Sequence, residues 1–277
     1  MLSSLSSGVS GLESFQQQMD VIGNNIANIN TVGFKAGTVD FADSLSNTLQ
    51  GASQTAAAEQ VGTGVQIGAI DNNWNQGAIA STGVASQLAV NGNGFFEVQD
   101  PTNAASIFAT RDGQFQVNSA GYLVTASGYY VLGTNNITGA TNSPIPISTD
   151  PSKAGTVNML SYTIDATGNV NVSQSDGTTF VSGEVMLTNV TNPQELVSQG
   201  NNLYSNLAAA GGGTLAAPDS AGSGLGQIDG SSLESSNVDL SSEMANLITA
   251  QQAFDANSKM ISTSNEVLQT VVNMKQG

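Results

Sequence analysis

Four aspartates could in principle carry out acid–base chemistry: Asp100, Asp112, Asp165 and Asp176. A pair of carboxylates can cleave a glycosidic bond without any histidine, one acting as the acid and the other as base or nucleophile. Each of the four, however, has Gly or Asn close by in the sequence, and Asp in that setting commonly forms turns. We therefore interpret them as turn residues. A secreted β-rich protein that binds or cleaves glycans with an acidic pair remains the alternative.

Most other catalytic and binding chemistry is excluded by composition, because the chain has no Cys and no His. Thiol nucleophiles, Ser-His-Asp triads and His-bearing zinc sites are thereby absent. The glycine pairs 62–64 and 92–94 lack the long helix and the Lys of a phosphate-binding loop. Residues 165–169 lack the Glu that completes a calcium loop. We expect a non-enzymatic protein with no cofactor and no metal.

The charge balance also limits the kinds of molecule that the chain can bind. The 277 residues include 21 acidic and 5 basic side chains, for a net charge of −16. Such a chain repels nucleic acid and anionic lipid. No apolar run approaches the roughly 18 residues that a membrane span needs. Residues 1–11 have neither the basic nor the apolar region of an ordinary signal peptide. We expect no nucleic-acid binding, no membrane span and no cleaved signal of the ordinary kind.

Both ends of the sequence show the heptad pattern of coiled-coil helices. The first helix is expected to end near Gly33, and its apolar heptad residues are Leu5, Val9, Leu12, Met19 and Ile26. In the last segment, an apolar residue recurs every seven positions beside mostly polar companions that include Gln251, Ser258 and Asn265. Its predicted assembly residues are Leu240, Met244, Leu247, Phe254, Ile261 and Leu268.

The two helices could simply pair within one monomer. An isolated pair with one partly polar seam is only marginally stable in water, however. We therefore favour helices that pair with each other and also pack against neighbouring copies of the chain, which predicts a homo-oligomer.

Between the helices, short runs alternate in polarity and are separated by Gly, Asn and Asp, a pattern typical of antiparallel strands. The predicted fold class is α+β: N- and C-terminal helices paired as a coiled coil, with a central antiparallel all-β domain inserted between them. The sequence divides into an N-terminal helix, an extended connector, the β domain, a return connector and a C-terminal helix, at residues 1–33, 34–80, 81–194, 195–234 and 235–277.

Three stretches of this sequence resemble the bacterial flagellar hook and basal-body rod proteins. The first spans residues 10–35, and its signature residues are Asp20, Asn24, Asn25, Asn28, Gly33, Phe34 and Lys35. The second is the block 91–125, which is similar to the family's β domain, and the third runs from residue 233 to residue 268. Together these stretches frame nearly the whole chain.

The resemblance implies an axial subunit that polymerises into a hollow tube, transmits torque and encloses the export channel. In this arrangement the terminal helices line the inner tube and the β domain forms an outer layer. The implied partners are neighbouring flagellar rod, hook and junction proteins, the flagellar type III export apparatus and a capping scaffold protein. The implied location is the basal-body rod or the extracellular hook, reached without a cleaved signal peptide.

The sequence leaves hook and distal rod open. Residues 33–43 and 237–241 look most like the hook protein, whereas the length of 277 residues is nearer to that of the distal rod protein. The stretch from Phe41 to Gly64 is also longer than in compact hook proteins. Gln252 stands where the family commonly has Arg. A surface adhesin, which would bind its target through residues 81–194 alone, is a further alternative.

Overall fold

The computed structural model describes residues 2–50, 59–148, 158–213, 215–219 and 224–276. Parts of both predicted connectors, at residues 51–58, 214 and 220–223, lie outside the described residues. The chain divides into two compact units. The helical unit comprises Met1–Ile29, Ala36–Asn73 and Val238–Gly277, and the β unit comprises Asn30–Lys35 and Trp74–Asn237.

The helical unit consists of two long helices and two short β ladders. Helices α1 (Leu2–Ala27) and α2 (Leu240–Gln276) pack against each other. The Asp239 carboxylate caps α2, where it accepts a hydrogen bond from the Ser241 N–H at 2.8 Å. The ladders are antiparallel and join β1 (Gly37–Asp43) to β4 (Val65–Asn72) and β2 (Ser46–Gln50) to β3 (Glu59–Gly62).

The segment 34–80, predicted as an extended connector, therefore contains strands. The residues of β1 and β4 alternate in exposure, so that one face of the ladder can pack on α1. On that face the rings of Phe15 and Phe41 lie 5.6 Å apart. The segment is thus a strand-forming ribbon with a contact to α1, although Phe41 and Ile70 stay partly exposed, at 41 % and 48 %.

The β unit is built mainly on a 12-stranded antiparallel sheet with a central strand order of β13-β14-β15-β11-β7-β8-β18-β17. Strands β9, β10, β12 and β16 pair beside this path, and two further ladders join β19 to β6 and β20 to β5. A short 3-10 helix spans Pro193–Glu195. The strand bounds are β5 Ile79–Ser81, β6 Leu88–Asn91, β7 Phe95–Gln99, β8 Ile107–Thr110, β9 Phe115–Val117, β10 Leu123–Thr125, β11 Tyr130–Asn135, β12 Ala140–Pro144, β13 Met159–Ile164, β14 Asn169–Gln174, β15 Thr179–Val185, β16 Leu187–Thr188, β17 Val197–Gly200, β18 Leu203–Ser205, β19 Gln227–Gly230 and β20 Ser232–Glu234.

Two apolar clusters fill the β unit. The larger is centred on fully buried side chains such as Phe96, whose ring meets that of Phe115 edge-on at 5.1 Å. The smaller contains Phe95 and Tyr204 and is covered by Trp74. Because strands β17 to β20 belong to this unit, the segment 195–234, predicted as a return connector, completes the β unit instead of leading away from it. The α+β fold, with two terminal helices and a central antiparallel β domain, is confirmed.

Two glycines in hairpin turns provide a matched test of this packing. Gly168 and Gly177 both have positive φ, at +86° and +79°. A Cβ on Gly168 would collide with the carbonyl oxygen of Val185, whereas a Cβ on Gly177 would meet nothing. We expect Gly177→Ala to lower the free energy of unfolding by about 1 kcal/mol, from the left-handed backbone alone. Gly168→Ala should lower it by about 2 kcal/mol more, from the collision. Urea denaturation of both variants measures the difference, and equal losses would contradict the turn described here.

Candidate functional site

The helix pair meets along a seam of small residues on α1. Gly8, Gly11 and Ser14 are buried there, together with Ile22. A Cβ on Gly8 would lie 3.0 Å from Ile261 Cγ1, so the α1 backbone approaches α2 closely at this point. Gly11 is likewise packed against the side chain of Asn257. Small residues therefore determine how closely the helices approach.

The predicted apolar heptad of α1 lies beside this seam. Val9 is 40 % exposed, while Leu5, Leu12, Met19 and Ile26 are half-buried. Their side chains are thus only partly covered by the helical unit, and their role in assembly stays a prediction.

On α2, one of the two predicted heptad series lies at the seam with α1, and the other does not. Leu247, Phe254, Ile261 and Leu268 are half-buried, as expected for a packed edge. Their companions are Ala250, Asn257 and Ser264 at the alternate heptad step, whereas the predicted companions are exposed: Met244, Gln251, Ser258, Asn265 and Val272. The seven-residue repeat does not specify on which side the companion series lies. Small and polar residues are easily overlooked as seam positions. Leu240, at the start of the helix, is 43 % exposed.

A second apolar row on α2 is solvent-exposed in the monomer. Met260, Val267, Val271 and Met274 follow one another at steps of seven, four and three residues, which places them on one helix face. Their exposed fractions are 38 %, 49 %, 47 % and 76 %. We call this row the lateral stripe. A regular apolar row left open to solvent is typical of an interaction surface.

The Asn-rich signature of α1 positions the chain as it leaves the helix. Asn25 is buried, and its amide both donates to Gly37 O at 2.8 Å and accepts from Gly37 N at 2.9 Å. The same amide donates to Glu243 Oε1 on α2 at 3.2 Å. Asn28 donates to Asn24 one turn back. Asp20 and Asn24 are exposed. Asn25 thus joins α1, β1 and α2.

The remaining signature residues belong to the β unit and converge on a buried carboxylate. Lys35 Nζ lies 2.7 Å from Glu234 Oε1, and Arg111 Nη1 lies 3.3 Å from Glu234 Oε2. The Gly77 N–H also donates to Glu234 Oε1, at 2.9 Å. The side chains of Lys35, Arg111 and Glu234 are 1 %, 7 % and 1 % exposed. We call these three residues the Glu234 cluster.

Burial shifts the pKa values of both cations in this cluster. Burial lowers the pKa of the Lys35 ammonium, and the hydrogen bond and charge of Glu234 oppose that shift. The pKa of the Arg111 guanidinium is lowered for the same reason and is likewise supported by Glu234. Both cations therefore depend on this one carboxylate.

Gly33 and Phe34 fit closely around the cluster. Gly33 has φ +67°, and a Cβ there would collide with the backbone of Arg111. Its N–H donates to Glu234 O at 2.9 Å, and Asn237 N donates to Phe34 O at 3.4 Å. Arg111 and Glu234 were not predicted as site residues, although the chain has only 5 basic residues, which makes each of them a candidate for an ion pair. Only proximity in the fold identifies them as partners of Lys35.

The four candidate catalytic aspartates stabilise their own turns. Asp100, Asp112, Asp165 and Asp176 each accept a hydrogen bond from the backbone N–H two residues ahead, at 2.7 to 3.0 Å. This agrees with their interpretation as turn residues. Within the described part of the chain, no group of three or more acidic side chains is arranged to hold a metal ion.

Glu97 is a buried carboxyl outside these features. It lies on β7 and is 5 % exposed, on the wall of a cavity of about 440 Å³ that also borders Asn142 and Met186. Burial raises the pKa of this carboxyl, and a hydrogen bond with Thr188 partly opposes the shift. Neither ion pair found among the described residues involves it.

Comparison with known protein families gives three matches along the chain. Residues 5–35 match the model described as flagella basal body rod protein, and residues 89–172 match the flagellar hook protein FlgE/F/G D1 domain. Residues 230–274 match the flagellar basal body rod FlgEFG protein C-terminal model. Neither described helix is long and apolar enough to cross a membrane.

Similar rod proteins align over all or nearly all of the chain. The flagellar basal-body rod protein FlgG of Bacillus subtilis is 39 % identical, with 100 % of both chains covered. FlgG of Caulobacter vibrioides is 34 % identical over 99 % of this chain and all of its own length. The flagellar hook protein FlgE of Borreliella burgdorferi is 47 % identical, but over 48 % of this chain and 31 % of its own.

Removing the Glu234 carboxylate should destabilise the β unit. Glu234→Gln leaves two buried cations without a counter-charge, and we expect a loss of about 3–5 kcal/mol in the free energy of unfolding. Lys35→Met is the matched control, because it leaves one cation opposite one carboxylate. Its loss should be smaller. Chemical denaturation of both variants measures the two losses. Equal losses would contradict the conclusion that two buried cations share one carboxylate.

Glu97 should make stability depend on pH. Because its folded-state pKa is raised, the native protein takes up this proton before the unfolded chain does, so stability from this group rises as pH falls towards its ordinary value of 4.5. Glu97→Gln should remove that dependence and be relatively more stable at pH 7 than at pH 4.5. Denaturation of wild type and variant across this range gives the difference. The exposed Glu195→Gln controls for the loss of one negative charge, and a difference that is constant with pH would refute the expectation.

Proposed function

Because the chain belongs to the family of flagellar basal-body rod and hook proteins, we propose that it is a rod subunit that polymerises into a hollow tube. It is a structural axial subunit of the bacterial flagellum. The observation that carries the assignment to the rod is the alignment with FlgG rod proteins over the whole length of both chains. The hook protein, despite its higher identity, aligns with less than half of this chain.

Assembly in this proposal uses the apolar surface that the helical unit leaves open. The lateral stripe and Val9 are exposed in the monomer, and packing them against neighbouring copies would remove that area from water. Burial of apolar surface contributes about 25 cal/mol per Å². Repeated along a polymer, helix contacts of this kind would form the inner wall around an export channel and transmit torque.

The same proposal covers location and partners. The subunit would stand in the basal body beside other rod, hook and junction proteins, after export by the flagellar apparatus without a cleaved signal peptide and with the aid of a capping scaffold. It would catalyse no reaction. This fits the turn-forming hydrogen bonds of its four candidate aspartates.

The lateral stripe gives a direct test of polymerisation. We expect Val267→Asp to reduce polymer yield at least tenfold, because burying one unpaired carboxylate offsets the gain from many apolar contacts. Gln269→Asp introduces the same charge at an exposed polar position on the same helix and should retain most assembly. Sedimentation and electron microscopy measure the polymer, and the near-ultraviolet spectrum of Trp74 checks the β unit. Equal loss in both variants would exclude the stripe as the contact.

Immunogold labelling of isolated hook–basal bodies tests the assignment to the rod. Gold should lie on the basal-body side of the hook, and its confinement to the hook would overturn the proposal. If gold labels the rod but Val267→Asp still polymerises, the assignment to the rod stands, and a surface other than the lateral stripe must form the contact.

A further inference from the structure

A surface cavity in the β unit lies beside the Glu234 cluster. Its volume is about 400 Å³, within the size range of small-ligand sites. Trp74 and Phe95 form an aromatic wall, with their ring centroids 5.4 Å apart. The polar part of the lining includes Asn93, Thr191 and Arg111. The described residues that line the cavity include no acidic side chain.

The charge next to this cavity is not balanced. Lys35 and Arg111 both pair with Glu234, so two buried cations share one carboxylate. Arg111 is 6 % exposed, and its guanidinium carbon lies 5.0 Å from the centre of the Phe95 ring. A buried charge is poorly screened by solvent, so the excess positive charge extends into the cavity.

Within the described part of the chain, one buried donor of Arg111 and one polar group on the rim of the cavity also lack hydrogen-bond partners. Arg111 Nη1 donates to Glu234 and Nη2 donates to Gly92 O at 2.9 Å, but Nε has no partner among the described residues. An unsatisfied buried donor costs roughly 1–3 kcal/mol, so such an atom calls for explanation. On the rim, Asn93 is exposed, and none of the described hydrogen bonds involves its side-chain amide.

We propose that this cavity receives an aspartate or glutamate side chain from a second copy of the chain. A carboxylate would be attracted by the excess positive charge of Lys35 and Arg111 over Glu234 and could accept a hydrogen bond from the Asn93 amide, while its methylene groups pack on the aromatic wall. The occupant follows from charge complementarity, because each copy carries 21 acidic residues against 5 basic ones. The inference rests on the proposed polymer, since only there does a second copy stand beside the cavity.

Trp74 is the only tryptophan of the chain and lines the cavity, so its fluorescence reports whether the cavity of the monomer is occupied. We expect N-acetylglutamate α-amide to change this fluorescence saturably and to bind about tenfold more tightly than N-acetylglutamine α-amide. Asn93→Asp places a negative charge on the rim and should abolish the difference. Asn136→Asp, at another exposed position of the β unit, should leave it unchanged. Equal binding of the two amides, or no response to either, would overturn the proposal.

The polymer identifies the occupant. With a photoreactive benzoylphenylalanine in place of Thr191, we expect a crosslink in polymer but not in monomer, to an Asp- or Glu-bearing peptide of a second copy. Assembled polymer without this crosslink, or with one to an acid-free peptide or another protein, would overturn the inference and leave the proposed function intact. Inorganic phosphate acting as strongly as the glutamate amide, with no crosslink, would assign the cavity to a free anion and also overturn it. If no polymer forms, the proposed function fails, and the monomer titration alone decides whether the cavity selects carboxylates.

Discussion

The β unit depends on the ion pairs that the buried carboxylate of Glu234 forms with Lys35 and Arg111. The β unit consists of two separate stretches of chain, Asn30–Lys35 and Trp74–Asn237, and Glu234, near the end of the second, binds the first to it. Its side chain accepts from Lys35 and from the Gly77 backbone, and its own carbonyl accepts from Gly33. A buried ion pair contributes little net stability, because desolvation offsets the attraction. The ion pairs instead make the arrangement of these segments specific, because no other described acidic side chain pairs with Lys35 and Arg111.

In the helical unit, the main constraint is the small size of the α1 residues that face α2. Glycine within a helix costs roughly 1 kcal/mol relative to alanine. Gly8 and Gly11 nevertheless occupy the seam, where they allow α2 to approach closely. Other apolar side chains, such as those of Val9 and Val267, lie outside this contact and are exposed. The monomer thus keeps an apolar helix face, the lateral stripe, open to solvent.

The sequence predicted the elements that repeat and missed those that depend on distant partners. The heptad repeats at the two ends predict the terminal helices, and the alternating runs between them predict the antiparallel sheet. Both were predictable because a repeat period is a local property of the chain. The seam register was not predictable in the same way. Gly11 and Asn257 carry no hydrophobic signal, yet they meet across the helix pair. Strands such as β18 and β20 are only three residues long and are fixed by pairing with β8 and β5, far away in sequence. Such short strands, in a segment rich in Gly and Ala, look like a connector until the partner strands are known.

Charge sets the conditions under which such subunits can associate. With 21 acidic and 5 basic residues, two copies repel each other at long range, and two of the few cations are already buried on Glu234. Surface ion pairs therefore cannot provide most of the energy of assembly, because too few cations remain to form them. Apolar contacts such as the lateral stripe act at short range and are indifferent to this repulsion, while salt screens it over about 10 Å at 0.1 M. In the proposed polymer, apolar helix faces would therefore provide the attraction between copies. The shortage of cations would make the excess positive charge beside Glu234, where Lys35 and Arg111 share one carboxylate, a selective contact for a neighbour's carboxylate.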